Sequence, residues 1–328
     1  MKRTEVIEKV NEVVKRRHLS PKTKAAYLTR ILKFIDFCRA NAGLSTEEKI
    51  TAFLSKMAVK GKVSANTQNQ ALNAIVFLYR DVLEQPLGDF SNFVRAQKPK
   101  TLPVVMSERE CMLVLSHVHG IHHLMASLLY GCGLRLNEAV SLRIKDIDFD
   151  RDMIFVRHGK GAKDRAVMLP RSVKDKLREQ VEDARRIHTK DLAAGNGSTY
   201  LPNALVRKFP NAATEFAWQW VFPARKTHYN EELQETKRWH IHHTALQKAV
   251  RQAVRLSGID KKATCHTFRH SFCTHLLESG KGLKEVQELM GHSHVTTTMI
   301  YTHVMRKPSE IQSPLDAASN VVPLVANG

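Results

Sequence analysis

Apolar residues recur three and four positions apart over most of this 328-residue chain, which predicts a mainly helical protein. Ser20-Pro21 reads as an N-cap and first helical residue, followed by Ala25, Leu28, Leu32 and Ile35 at helical spacing. Residues 46–57 read as a shorter amphipathic helix, ended by Lys60-Gly61-Lys62. A further helix starts near Asn66, with Leu72, Ile75, Tyr79 and Val82 as its inner stripe. This first stretch carries no strand pattern. Residues 91–105, with Pro99, Pro103, Arg95, Lys98 and Lys100, read as a linker.

Beyond the linker, Ser107 should cap a helix carrying Met112, Leu113 and Val114. An apolar helix at 124–130 is then broken by Gly131 and Gly133 and restarts at Arg135. Strand patterns first occur at 144–149, 153–156 and 166–169, the last two flanking the glycine-rich turn 158–165. A charged amphipathic helix follows at 174–194, and then a segment rich in aromatic residues at about 200–223. The expected fold is mainly α with two domains. One is a helical bundle at 1–90; the other, at 106–308, is an α+β domain with a small antiparallel sheet, followed by a tail at 309–328.

Charge narrows the choice of partner. Fifty-one Lys and Arg against 32 Asp and Glu give a formal charge of +19, which suits a polyanion, with nucleic acid first. The first 100 residues hold 19 of those cations against 9 acids, over half of the excess. This domain reads as an electrostatic clamp on the DNA backbone, with Lys22 and Lys24 among its phosphate contacts. The five cysteines are scattered, with no C-x-x-C pair, which argues for a reducing compartment and against a disulfide framework or zinc finger. The start is too charged for a signal peptide, and no apolar run approaches a membrane span, so a cytoplasmic, nucleoid-associated protein is expected.

The chemistry concentrates in residues 265–303, which contain His266, Arg269, His292 and Tyr301. An arginine, two imidazoles and a phenol make poor core material, but together they can hold a phosphate and supply an oxygen nucleophile. Arg135 opens a helix, where free backbone N–H groups favour anions, and Lys160 sits in a hairpin that can project it into a groove. No Ser or Thr follows the lysines of that loop and no helix opens there, which excludes a Walker-type site. Zinc is the alternative for His266, His270 and His275 with Cys265 and Cys273, but no H-E-x-x-H is present and Arg269 beside them would repel a dication.

Arg135, Lys160, His266-x-x-Arg269, Gly291-His292 and Tyr301, in that order, resemble the tyrosine recombinases, the phage-integrase-like site-specific recombinases. The resemblance covers about 105–305, and the helical first domain resembles their core-binding domain. Residues 204–223 and 296–303 look closer still to the integron integrases, whose extra insert has this Ala-Leu-x-x-Lys-Phe-Pro and Trp-x-x-Val/Leu-Phe-Pro pattern. Two positions depart from it: Trp239-His240 stands where relatives tend to have a His-His pair, and an expected proline is absent from 229–237.

The resemblance implies a DNA strand transferase with a catalytic set of Arg135, Lys160, His266, Arg269, His292 and Tyr301. Tyr301 attacks a phosphodiester to give a 3′-phosphotyrosyl bond that stores the bond energy, so no ATP is needed. Arg135 and Arg269 fork onto the non-bridging oxygens, and Lys160 protonates the departing 5′-hydroxyl. His266 and His292 add hydrogen bonds, and either is placed to take the phenol proton. The integron likeness implies substrates that are folded single strands with bulged bases as well as a duplex site, exchanged within a tetramer on DNA. Trp218, Trp239 and His240, with Arg207 and Lys208, are the expected base and strand contacts. No cofactor or metal is expected, since arginines and imidazoles take its place. Recombination should therefore persist at its full rate in excess EDTA, and loss on chelation, restored by a divalent cation, would contradict the assignment.

Overall fold

The computed structural model describes residues 3–17, 19–97, 102–157, 164–201, 203–231 and 234–302. The chain divides into two compact units, 1–101 and 102–328. The first is built from α1 (Arg3–Arg16), α2 (Pro21–Ala40), α3 (Thr46–Val59) and α4 (Ala65–Phe77), the last continued by a π-helical turn over Leu78–Val82. Ser20, Ser45 and Ser64 each cap the helix that follows by accepting a backbone N–H, and Glu48 completes a reciprocal box with Ser45.

Two features of this unit differ from the sequence reading. α1 went unread because its valines, Val6, Val10, Val13 and Val14, are interleaved with charged residues; all four are buried. In α2 the residues read at helical spacing are not the centre of the buried face, although Leu28 and Ile35 pack partly buried against the core. Ile31 and Phe34 are fully buried, with Tyr27 and Cys38 half-buried beside them, while Ala25 is exposed. The larger surfaces win the interior, and the Phe34 ring meets Phe53 edge-on at 5.3 Å. The segment after α4 is also anchored here. Phe93 is buried in this core, and the Gln68 amide donates to the carbonyls of Leu54 (2.9 Å) and Val94 (2.7 Å). Residues 98–101 of the expected linker lie outside the described residues.

The second unit opens with α5 (Glu108–Ser116), capped by Ser107 and Glu110, and α6 (Gly120–Gly131). α5 turns Cys111, Val114 and Leu115 inward and leaves Met112 and Leu113 exposed. A short α7 (Leu136–Val140) follows, and the strand expected at 144–149 is in fact a 3-10 turn leading into a two-residue β1 (Ile147–Asp148). β1 pairs antiparallel with β2 (Met153–Val156), and β2 with β3 (Arg165–Met168), as a three-stranded sheet. α8 (Arg171–Ala193) then buries Val173, Leu177, Val181 and Ala184 from an otherwise charged surface.

A second sheet was not legible in the sequence. β4 (Ser198–Thr199) is followed by the short α9 (Asn203–Lys208), then by β5 (Pro223–Asn230) and β6 (Glu235–His240), with strand order β4-β6-β5. β5 and β6 are antiparallel, while β4 joins β6 in parallel, so this sheet is mixed. Four helices complete the unit: α10 (His243–Leu256), α11 (Cys265–Glu278), α12 (Leu283–Met290) and α13 (Val295–Thr302). Among the described residues no helix is long and apolar enough to cross a membrane, and all five cysteines are free.

The corrected face of α2 is open to a direct check. Ile31→Ala should destabilise the first unit by about 2–5 kcal/mol, the usual range for emptying a sealed core site. Leu32→Ala, on the half-buried side, should cost much less; equal losses in denaturant titrations would place the wrong face inside.

Candidate active site

Three guanidinium groups converge on the end of one helix. α12 stops at Gly291, which takes a left-handed backbone with φ of 58°, and a Cβ there would lie 3.0 Å from the Arg165 side chain. The last carbonyls of a helix have no partner within it and carry the negative end of its dipole. Here three successive ones are taken by arginines. Arg165 donates Nε to Leu289 O at 2.8 Å, Arg269 donates Nη2 to Met290 O, and Arg135 donates Nη2 to Gly291 O at 2.9 Å.

Glu138 closes the cluster from the other side. Its carboxylate receives two hydrogen bonds from Arg165, at 3.0 and 2.6 Å, one from Arg135 Nη1 at 2.7 Å, and the backbone N–H of Arg135 at 2.8 Å. Arg135 thus sits as N-cap residue of α7, with Glu138 three residues on holding both its backbone and its side chain. Burial works to raise the Glu138 pKa, but the two arginines and the backbone donor override it and hold it down at about 2. Arg165 was missed by the sequence reading, which saw it as part of the hairpin turn.

Arg269 lies on α11, whose N-terminus is fixed by reciprocal bonds between Thr264 and Thr267. It is 4% exposed, and its second nitrogen donates to Gly133 O in the turn between α6 and α7. Gly133 has φ of 60°, and a Cβ there would stand 2.4 Å from the Phe272 ring, so both the turn and the close approach require glycine. Burial, with Arg135 nearby, lowers the Arg269 pKa to about 9, so it remains a cation at neutral pH.

The imidazoles and the phenol surround these cations. His266, Arg269, His270 and Cys273 follow one another at helical spacing along α11. His266 is exposed, its pKa lowered by partial burial and by Arg269 and Arg135. His292 follows the cap glycine, with Nδ1 2.9 Å from Thr298 Oγ1 and Nε2 3.4 Å from Arg269 Nη2. A guanidinium only donates, so Nε2 accepts there and Nδ1–H donates to the threonine. Desolvation and the surrounding arginines push His292 down to about 4, so it is neutral.

Tyr301, on α13, is 4% exposed, with its ring parallel to that of His292 at 6.4 Å. Burial drives its phenol up to about 12, against the pull of Arg269 and Arg135. Its hydroxyl meets neither His266 nor His292, among the described residues, but His270, whose Nδ1 lies 2.5 Å away. In this structure the phenol thus faces His270 rather than either of the two histidines expected to take its proton. Arg135, His266, Arg269, His292 and Tyr301 therefore come together, whereas Lys160 lies outside the described residues. Among those residues no His, Cys, Asp or Glu cluster could hold a metal.

The expected base contacts form a separate group around the second sheet. Trp239, 41% exposed on β6, packs edge-on against Tyr200 (4.6 Å) and Trp220 (5.6 Å) and beside His240 (4.9 Å). His240 is half-buried, with Nδ1 2.8 Å from Ile241 O, and desolvation lowers its pKa. Trp218 lies under Lys145, whose Nζ is 4.3 Å from the ring, and Trp220 under Arg143 at 3.7 Å. These stacked pairs border a cleft of about 530 Å³ that reaches Glu138. Arg207 and Lys208 are exposed on α9, while Lys22, exposed, and Lys24, half-exposed, belong to the first unit.

Comparison with known proteins identifies this assembly. Residues 107–307 match the phage integrase family, and residues 6–89 match the phage integrase N-terminal SAM-like domain. The chain belongs to the phage integrase family of tyrosine recombinases. An integrase/recombinase of Escherichia coli is 43% identical over 97% of this chain and 95% of its own length. A tyrosine recombinase, XerA, of Thermococcus kodakarensis is 30% identical over 93% of this chain and 94% of that one. Among solved structures, XerH recombinase bound to palindromic difH substrate superposes with a TM-score of 0.62 at 22% identity, over 94% of this chain and 82% of that one. A lambda integrase dimer bound to a core site gives 0.57 at 17% identity, over 90% and 93%. The protein is thus a site-specific DNA recombinase with the fold of that family.

The Glu138 clamp has a defined pH signature. Its folded pKa of about 2 lies below the ordinary carboxylate value, so its contribution is complete above about pH 4.5 and lost as pH falls through about 2. Glu138→Gln should cost on the order of 3 kcal/mol at neutral pH, and the gap from the parent should close between about pH 4.5 and 2. A gap independent of pH would show that the carboxylate charge is not what matters.

Proposed function

We propose that this recombinase cuts and rejoins DNA through a 3′-phosphotyrosyl bond made by Tyr301, and that its substrates include folded single strands with bulged bases. In this reading it is an integron-type integrase that inserts and excises gene cassettes at such hairpins and at a duplex integration site, within a tetramer on DNA. The gathering of Tyr301, Arg135, Arg269, His266 and His292 supports the chemistry. Arg135 and Arg269 have donors set in position, one at the rim and one buried, where a phosphate's non-bridging oxygens would take them without reorganisation. Two rigid guanidiniums stabilise the extra charge of a pentavalent phosphorus, and Lys160 supplies the proton to the leaving 5′ oxygen.

One observation carries the substrate reading: the Trp239 indole stays 41% exposed although Tyr200, Trp220 and His240 all pack against it. A rigid, half-exposed aromatic is a stacking surface for an unpaired base, and Trp218 under Lys145 offers a second one beside a cation. Trp239 would serve where relatives of this type tend to place a histidine. The second reading, a recombinase restricted to duplex DNA, draws support from the 30% identity to tyrosine recombinase XerA over nearly the whole chain.

Two measurements test the proposal. Tyr301→Phe should abolish the covalent protein–DNA adduct trapped on a nicked suicide substrate while leaving DNA binding intact; an adduct formed by that variant would refute the nucleophile. Binding should favour a hairpin with bulged bases over its perfect duplex, and Trp239→Ala should reduce that preference about tenfold, the loss of one stacked base. Equal affinity of the parent protein for both would favour the duplex-only reading.

A further inference from the structure

The Tyr301 hydroxyl is a weak acid in this site, and its deprotonation is the step for which the familiar histidine positions are badly placed. His292 spends both ring nitrogens, one on Thr298 and one on Arg269. His266 is exposed near the start of α11 and makes no hydrogen bond to the phenol among the described residues. One turn further along, His270 puts Nδ1 2.5 Å from Tyr301 Oη, with the two rings 5.5 Å apart. A phenol is the stronger donor of the two, so the O–H donates and Nδ1 accepts, which places the imidazole proton on Nε2.

We propose that His270 is a further catalytic residue, the proton acceptor that activates Tyr301. As Tyr301 Oη bonds to phosphorus, its proton passes to His270 Nδ1, the P–O5′ bond breaks, and the 5′ oxygen takes a proton from the acid position proposed for Lys160. In the reverse step a 5′-hydroxyl gives its proton back to that acid position as it attacks phosphorus, the Oη–P bond to Tyr301 breaks, and the His270 imidazolium returns its proton to the departing phenolate. Protons balance over the cycle, and no oxidant, metal or nucleotide enters.

Two conditions make the transfer reasonable. Burial first, then His266 and Arg269, hold His270 down near 4, so before DNA arrives the ring is neutral with its Nδ1 lone pair available. Such a ring is a poor base toward a resting phenol, and no transfer is expected in the free protein. An incoming phosphate adds negative charge beside it, which favours imidazolium, while bonding of the phenol oxygen to phosphorus makes its proton strongly acidic. The proton therefore moves only in the transition state, which is what general base catalysis requires.

The proposal rests on Tyr301 being the nucleophile, and the experiment separates the two. His270→Asn puts an amide oxygen near the Nδ1 position, so a hydrogen bond can persist where no proton can be accepted; His270→Gln is the second variant should the first lose its thermal transition. Cleavage rates are measured on a suicide substrate at saturating protein, with Tyr301 either natural or replaced by a ring-fluorinated tyrosine of greater acidity. With the natural phenol the variant should be slower by about 100-fold or more, with DNA affinity unchanged. The fluorinated phenol should recover at least about tenfold of that loss and change the parent rate little, because a more acidic nucleophile needs its base less. A variant that cleaves at the parent rate, or one whose deficit is the same with both phenols, overturns the role of His270. If instead Tyr301→Phe still forms the adduct, it is the nucleophile assignment that has failed.

Discussion

The C-terminal end of α12 is the constraint that orders this site. Three guanidiniums brought together in the absence of phosphate would repel one another, and burying Arg269 among them is costly in itself. The chain meets that cost with a matched set of acceptors: the carbonyls of Leu289, Met290 and Gly291, that of Gly133 from the neighbouring turn, and the Glu138 carboxylate. Each acceptor is either backbone at a helix boundary or a side chain held on both oxygens. None can move without releasing an arginine, so the positions of the three guanidiniums are set by where helices begin and end. Gly133 and Gly291, both with left-handed backbone, are where that requirement reaches the sequence.

How much was legible follows from this arrangement. Arg135, His266, Arg269, His292 and Tyr301 stand out in the sequence because they are reactive residues at spacings a core has no use for. Arg165 and His270 belong to the same site and did not stand out. Arg165 sits at the end of a glycine- and lysine-rich turn, where one more cation carries no signal. His270 was one of several imidazoles, weighed for metal ligation, and only the approach of α13 to α11 pairs it with Tyr301. Both are tertiary facts: the side chain is visible in the sequence, its partner is not.

The same holds for the fold. Helices were legible where a stripe of large aliphatic residues faces a single core, as in α6 and α8. They were less so where the stripe was ambiguous: α2 offers several apolar diagonals, and the contact of Phe34 with Phe53 decides between them. β5 and β6 left almost no trace, because residues 223–240 are mostly polar and charged and the sheet has one sparsely apolar face. Its pairing comes from backbone hydrogen bonds and from Trp220 and Trp239 packing together, which no period-2 alternation announces. The exposed indole of Trp239 thus lies on a strand that the sequence barely announces.

In the free protein the electrostatics of the site point one way. Arg269 is pushed down to about 9, and His270 and His292 to about 4, first by burial and then by the cations and imidazoles around them, so the pocket resists further positive charge. Tyr301, pushed up to about 12 mainly by burial, resists negative charge as well, although the arginines draw it down. Under the function proposed above, a phosphodiester between them would reverse the first condition, because its negative charge would satisfy the arginines and make a protonated imidazole tolerable. In that reading, cations already held against carbonyls would meet the oxygens that gain charge in the transition state without having to be gathered first. The burial that makes the Tyr301 phenol a reluctant acid in the free chain also shields it from reacting elsewhere.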